Sequence, residues 1–518
     1  MKVLGTVLLS MCLVTSPLLA SDARDAGKED VAVATSSAPE ASAPAPTSTA
    51  TAAAGTSAPS QAVATAPQAE EKPSPLYFKI GAAEFFPLGF MDLTSITRTT
   101  QLGGIGTSFG SIAFGNTVAG RLSEERLSVQ NSRIGLRTQA KFGEAEVTGY
   151  LEADFLGYQP ANAYDTSNSN TLRMRLYWVD YRRGKFEVLG GQSWSFLTPN
   201  RNGLSALPGD LFYSQDVDTN YQLGLTWARQ AGIRFIVHPN SNWAVGVAFE
   251  NPEQTLPSSV VVPAAAGTGY ASQFDSNSGN TSSSTGVNNP NTPNLSPDII
   301  PKIAFDANPA GHQVHFDLAG LFRTFKAVNV IATPGSITAA NTVYTSIHGG
   351  GLAGTVNVEL VKNLRFITTA FYSYGGGRYI ASTSGPDVIV RPDGTLSGVH
   401  SGSGIGGLEW TRNPKLVVYA YYSGAYFGRN YDLTGATYTG YGFHAAAAPS
   451  SASLAADRYL YEPTFGIHYT MWRNPNYGDL RLMTQYSYVS RAPWSLPATV
   501  PNTAHSSMVY IDLRYDLP

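Results

Sequence analysis

Val509-Tyr510-Ile511-Asp512-Leu513-Arg514-Tyr515-Asp516-Leu517 is the stretch that decides the fold. Successive side chains of a β-strand point to opposite faces, so Val509, Ile511, Leu513, Tyr515 and Leu517 share one face and Tyr510, Asp512, Arg514 and Asp516 the other. The same alternation recurs along nearly the whole chain, behind an apparatus for export at the N-terminus. In hydrocarbon every backbone N–H and C=O must be paired internally, so strands span a bilayer only as a closed barrel. The sequence mark of such a barrel is repeated segments of about 10 residues, apolar outward and polar inward, separated by turn residues. This chain is therefore expected to be all-β, a transmembrane antiparallel β-barrel.

The totals agree with that expectation. Of 518 residues, 43% are hydrophobic and only 14% charged, while Gly (51), Tyr (28) and Phe (23) are plentiful, a mixture suited to strands, turns and aromatic belts. No apolar run of about 20 residues follows the N-terminus, which leaves no membrane helix in the mature chain. The net charge of −3 gives no basic footprint for nucleic acid.

Residues 1–20 read as a signal peptide: Lys2, an apolar core from Val3 to Val14, then Leu18-Leu19-Ala20 with a small residue at the cut. Cys12 lies inside that core. Leu9-Ser10-Met11-Cys12 is a poor lipoprotein box because Met precedes the Cys. Cleavage after Ala20 leaves a mature protein without cysteine, hence without disulfide or thiol chemistry. Residues 21–74 are rich in Ala, Ser, Thr and Pro, cannot bury enough apolar area to offset their ordering entropy, and read as a disordered periplasmic linker. The barrel is assigned to residues 75–518.

Period-2 alternation places sixteen strands, from Phe78–Leu93 to His505–Leu517, with eighteen as the alternative count if a weak hairpin escapes notice. Tyr221–Trp227 and Ile233–Val237 keep the same parity and are read as one strand, Tyr221–His238. The connections then alternate strictly. Seven are short (143–144, 182–185, 239–242, 307–311, 362–363, 412–415 and 473–478), several built on Asn-Pro, and eight are long. Short periplasmic turns alternating with long outer loops are the habit of outer-membrane barrels, and both ends then fall in the periplasm. Phe142, Tyr181, Trp243, Trp410 and Trp472 cluster beside the short turns, where an interfacial girdle belongs.

With the apolar face outward, Arg133 and Arg137 of the second strand, Glu152 and Asp154 of the third, and Arg173, Arg175 and Tyr177 of the fourth should point inward, as should Arg323 farther round. Structural ion pairs along the wall are one reading of these charges. The other is selectivity, since rings of charge set the preference of an aqueous lumen. The basic set exceeds its acidic partners, which favours small anionic solutes. The third long loop, Ser195–Asn220, carries Arg201, Asp210, Asp216 and Asp218 beside Leu204, Leu207, Leu211, Phe212 and Tyr213. So apolar a loop has little use for bulk water; folded inward, it would narrow the pore.

Asn131-Ser132-Arg133-Ile134-Gly135-Leu136-Arg137, Leu151-Glu152-Ala153-Asp154-Phe155, Leu172-Arg173-Met174-Arg175 and Gly191-Gln192-Ser193-Trp194 resemble, in order and spacing, the N-terminal half of the DcaP-like porins. Glu250-Asn251-Pro252 and Gly375-Gly376-Gly377-Arg378-Tyr379-Ile380 are similar to later stretches of that family. The resemblance implies a homotrimeric, sixteen-stranded outer-membrane channel for small anionic, often aromatic or dicarboxylic, compounds. Two features depart from the family pattern: residues 21–74 have no heptads where members carry a coiled-coil extension, and the chain ends Leu517-Pro518 rather than on an aromatic residue.

Other motifs carry little chemistry. Gly106-Thr107-Ser108-Phe109-Gly110 has the letters of a nucleophile elbow without its strand–turn–helix context. Gly402, Gly404 and Gly407 match a dinucleotide fingerprint where no helix follows. Asp216-Val217-Asp218 opens like a calcium loop but lacks the later Gly and Glu. No catalytic residue, metal ligand or cofactor is assigned. The sequence reads as a porin in contact with outer-membrane lipid. An adhesin binding partners through its long loops is the main alternative, and a barrel-based hydrolase the weaker one.

Overall fold

In the computed structural model, residues 76–518 are described apart from 103–104, 107, 158–169, 208–210, 216–220, 254–255, 258, 263–269, 274–294, 332–341, 435–436, 444–455 and 497–499. Sixteen antiparallel strands close into a barrel. They are β1 (Ala83–Arg98), β2 (Arg133–Phe142), β3 (Ala145–Asp154), β4 (Arg173–Arg183), β5 (Phe186–Trp194), β6 (Arg229–Val237), β7 (Trp243–Glu250) and β8 (Asp298–Ala307), followed by β9 (Val314–Ile331), β10 (Thr342–Val361), β11 (Leu364–Tyr374), β12 (His400–Asn413), β13 (Leu416–Phe427), β14 (Asp457–Asn474), β15 (Gly478–Pro493) and β16 (Ala504–Asp516). Each pairs with its neighbours in sequence, and β16 closes the ring on β1 through registers such as Leu93↔Leu513. Short strands at Phe78–Ile80, Glu124–Ser128 and Tyr270–Gln273 extend the sheet, and small hairpins at 388–398 and 430–441 rise from long loops. No helix among the described residues is long and apolar enough to cross a membrane.

The seven short connections and eight long ones alternate as the parity argument requires. In β16, Tyr510, Asp512 and Arg514 are buried inside while Ile511 and Leu513 are exposed on the outer wall. Exposed Leu, Ile, Val and aromatic side chains continue around the outside, an apolar surface far larger than a water-facing monomer tolerates and one a bilayer covers. Phe142, Tyr181, Trp243, Trp410 and Trp472 all stand exposed at the short-turn rim. A second aromatic belt, including Tyr372, Tyr422, Tyr426 and Tyr459, lies near the other rim.

Three strand assignments change. The first strand is Ala83–Arg98, not Phe78–Leu93: the chain turns at Gly81, φ +62°, and Phe78–Ile80 pairs back antiparallel on Ala83–Phe85. β6 begins at Arg229, not Tyr221. Gly224, at φ +83°, breaks the extended run, and a Cβ there would lie 2.7 Å from the Gly424 carbonyl oxygen and 2.9 Å from that of Gly404 on the far wall. Tyr221, Leu223 and Leu225 are buried in the core built by the inward loops, so their alternation reflects loop packing and not a lipid face. In β4, Arg175 is an extra residue opposite the step from Glu152 to Ala153. Such a bulge reverses the parity beyond it. Tyr177, expected inside, is therefore 47% exposed on the outer wall, while Trp178, expected outside, is 5% exposed and stacks on Tyr150.

Candidate functional site: the inward loop and the charged wall

The third long connection, 195–228, leaves β5, and its described residues run into the bore. Its first turn is fixed by the Phe196 amide, which donates to Glu250 at 2.5 Å. Lys302 of β8 then donates to the Thr198 carbonyl and to Asn200 Oδ1, at 2.7 and 2.8 Å, and the Asn200 amide donates to Asp317 of β9 at 3.1 Å. The Gly203 amide reaches Asp306 at 2.9 Å. Ala206 packs with Tyr150, Leu176, Trp178 and Leu189 of β3–β5. Farther along, the Tyr213 amide donates to the Tyr421 hydroxyl at 3.0 Å, the Gln215 amide to Gln485 at 2.8 Å, and Gln222 Nε2 to Glu462 at 2.8 Å. One loop thus touches β3–β5 on one side and β13–β15 on the other, which is what its apolar content and scattered polar groups required.

Arg201 joins this loop to β12. Its two terminal nitrogens donate to Glu409 at 2.8 and 2.6 Å, and its guanidinium lies over Tyr213, 5.1 Å from the ring centroid. Burial opposes the charge, but the Glu409 carboxylate outweighs it and raises the Arg201 pKa above its ordinary value. Tyr213 was read as part of this loop's apolar content, but Glu409 and Tyr421 were not singled out from the sequence. The alternation of β12 places Glu409 on the inner face, but no local signal ties it to a loop residue more than 200 positions away.

The other expected charges gather on β2–β4. Arg175 donates to Glu152 at 2.6 Å and to Asp154 at 2.7 Å, and its guanidinium lies 5.5 Å from the Trp194 ring centroid. Arg173 forms a fork to Asp154 at 3.0 and 2.6 Å and stays partly open to solvent. Arg133 sits 3.8 Å from Glu152 and over Phe90, whose ring also carries Arg514. Arg137 differs: its guanidinium rests on Phe86, 4.8 Å from the centroid, and has no carboxylate partner among the described residues. A second aromatic–cation stack, Arg229 over Trp194 and Trp227, stands close by, with the two indoles 4.6 Å apart.

Arg323 is apart from this group. It is buried near the long-loop rim, donates to Asp298 at 3.1 Å and to the Gly375 carbonyl at 2.6 Å, and pairs with Asp387 at 3.0 Å. With Arg378, which reaches Glu253 and Asp298, it ties the 375–399 loop to the wall. Asp210, Asp216 and Asp218, and with them the calcium-like segment, lie outside the described residues. Ser108 donates to Ser111, and Gly402, Gly404 and Gly407 lie within β12, so neither chance motif has the setting its chemistry needs.

No protein-family profile matches the sequence, and no curated protein sequence does. Among solved structures, the chain has the fold of the DcaP-like outer-membrane porins. It superposes on the outer-membrane channel DcaP of Acinetobacter baumannii with TM-score 0.58 at 15% identity, over 85% of this chain and 99% of that one. Fainter likenesses are an anion-selective porin from Comamonas acidovorans (TM-score 0.43, 11% identity, 84% and 99% covered) and OprB of Pseudomonas putida (TM-score 0.41, 12% identity, 83% and 94% covered).

Proposed function

We propose that this chain is an outer-membrane porin, a passive channel for small solutes with a preference for anions such as carboxylates. The observation that carries the reading is the pairing of an apolar outer wall with a bore lined by charge and crossed by one anchored loop. Charges are costly to bury unless paired or hydrated, so a barrel with this many inward arginines and carboxylates suits a wet lumen. The anion preference rests on Arg137, whose charge no described carboxylate neutralises, and on Arg173, which keeps part of its guanidinium open. Arg175 contributes less, being held between two carboxylates.

The same reading includes removal of residues 1–20 on export, a periplasmic segment 21–74, a periplasmic C-terminus and assembly as a homotrimer. Long loops then face the cell exterior. Purified protein in planar bilayers tests it: stepwise ohmic conductance with an anion-selective reversal potential in a salt gradient is expected. Insertion without conductance would favour the adhesin, and a cation-selective potential would remove the anion preference.

A further inference from the structure

At the long-loop rim, the outer wall between β13 and β15 carries two exposed arginines around one indole. Arg429, just past β13, lies 5.4 Å from the Trp494 ring centroid, and Arg458, at the start of β14, lies 4.7 Å from it. Tyr426 meets the same indole edge-on at 6.1 Å, and the Trp494 Nε1–H donates to the Phe427 carbonyl at 2.8 Å, which fixes the ring. Tyr426 and Tyr459 are both exposed members of the aromatic belt. The cluster therefore sits where headgroups begin.

Three features distinguish it from scattered surface charge. Neither Arg429 nor Arg458 has a carboxylate partner among the described residues, although the nearby Asp432 and Asp457 are engaged by Arg391 and Arg491. The adjoining segment 444–455 contains no Asp or Glu at all. Arg458 is also an extra residue between the pairs Asp457↔Pro493 and Tyr459↔Ala492, so a β-bulge turns it to the outside while Asp457 stays inside. Gly442, at φ +89°, lets its loop pack closely: a Cβ there would lie 2.5 Å from the Arg429 Cβ and 3.0 Å from the Trp494 ring. The cluster is held from three sides.

We propose that Arg429, Arg458 and Trp494 form a binding site for a phosphorylated glycolipid of the outer leaflet. Guanidinium groups match phosphate oxygens with paired N–H donors. An indole at the belt packs against sugar or the first methylenes, while its polar edge stays satisfied. The proposal rests on the outward orientation of the long loops; the binding measurement does not, because it is made in detergent.

The test is native mass spectrometry of the full-length protein titrated with bisphosphorylated lipid A and with its enzymatically dephosphorylated form. Wild type should retain the phosphorylated lipid, and the dephosphorylated form should bind about tenfold more weakly or worse. R429Q/R458Q should reduce retention of the phosphorylated lipid about ten- to thirtyfold. R412Q is the control: Arg412 also rests on a tryptophan, Trp410, but at the short-turn rim. It should leave binding unchanged. Equal retention of both lipids, an unaffected double variant, or an equal loss with R412Q would each overturn the site. Conductance is expected to be normal in R429Q/R458Q, so loss of the lipid site and loss of the channel reading are separately visible.

Discussion

Arg201 and Glu409 meet fork to fork inside the barrel, at 2.8 and 2.6 Å, and join the inward loop to a strand more than 200 residues farther along the chain. The Tyr421 hydroxyl donates to the same carboxylate at 2.7 Å. Three donors on one nearly buried carboxylate make a latch: the loop's position depends on a charge that the Arg201 guanidinium grips directly.

Glu409→Gln should therefore release the loop locally while the barrel stays closed. Removing one partner of a buried pair costs about 3–5 kcal/mol, because the other charge is left uncompensated. Single-channel records should display larger and noisier open currents than wild type. A trace indistinguishable from wild type would mean that the neighbouring backbone bonds at Asn200, Tyr213 and Gln215 hold the loop without the ion pair.

Gly191 offers a test of wall geometry. At φ +136° it occupies a conformation that side chains rarely adopt, and a Cβ would stand 2.5 Å from the Tyr177 carbonyl oxygen and 2.6 Å from the Trp178 Cα. These contacts are to backbone, which cannot swing aside, and they lie just beyond the β4 bulge. Gly191→Ala should lower the temperature at which the folded barrel converts to the slow-migrating unfolded form on gels. The strain is of the order of 1–3 kcal/mol. An unshifted transition would show that the β4–β5 pair relaxes around the added methyl.

How much of this was legible beforehand depends on the range of the interaction. Alternation is local, so the sixteen strands and their turns could be read from residues such as Val509–Leu517. Parity failed where a local pattern had a nonlocal cause. Tyr221, Leu223 and Leu225 alternate because they pack in a core of inward loops, and Trp178 turns inside because Arg175 bulges against Glu152. Arg133, Arg137, Arg173 and Arg175 could be placed on one wall by face and order. Which of them would be neutralised could not, because Arg175 is distinguished from Arg137 by carboxylates on a neighbouring strand.

The direction of insertion has its own test. A short epitope inserted after Gly279, in a segment rich in Ser, Asn and Gly, should be labelled by antibody on intact cells. The same epitope at Asn413-Pro414, in a short turn, should be labelled only after the outer membrane is opened. The opposite pattern would invert the topology, placing the long loops in the periplasm.

Selectivity separates the two roles that an inward arginine can have. Arg137 has Phe86 beneath it and no described carboxylate beside it; on the proposed reading its field reaches the lumen, where low-dielectric walls would focus it and raise the local anion concentration. Arg137→Gln should forfeit at most about 0.5–1 kcal/mol of cation–π contact, leave the barrel folded, and move the reversal potential in a salt gradient toward cations. Arg175 is the contrary case. Its charge is shared between Glu152 and Asp154, at 2.6 and 2.7 Å, so Arg175→Gln leaves Glu152 to Arg133 at 3.8 Å and Asp154 to Arg173 on a buried wall, and should destabilise it by about 1–3 kcal/mol. Any change in its selectivity then reflects the freed acidic groups more than a lost anion site. Arg173→Gln should fall between, since Arg173 shares Asp154 but keeps an open edge. If Arg137→Gln leaves the reversal potential where it was, the anion path does not run past this wall, and the arginines of β2–β4 hold the shape of the barrel only.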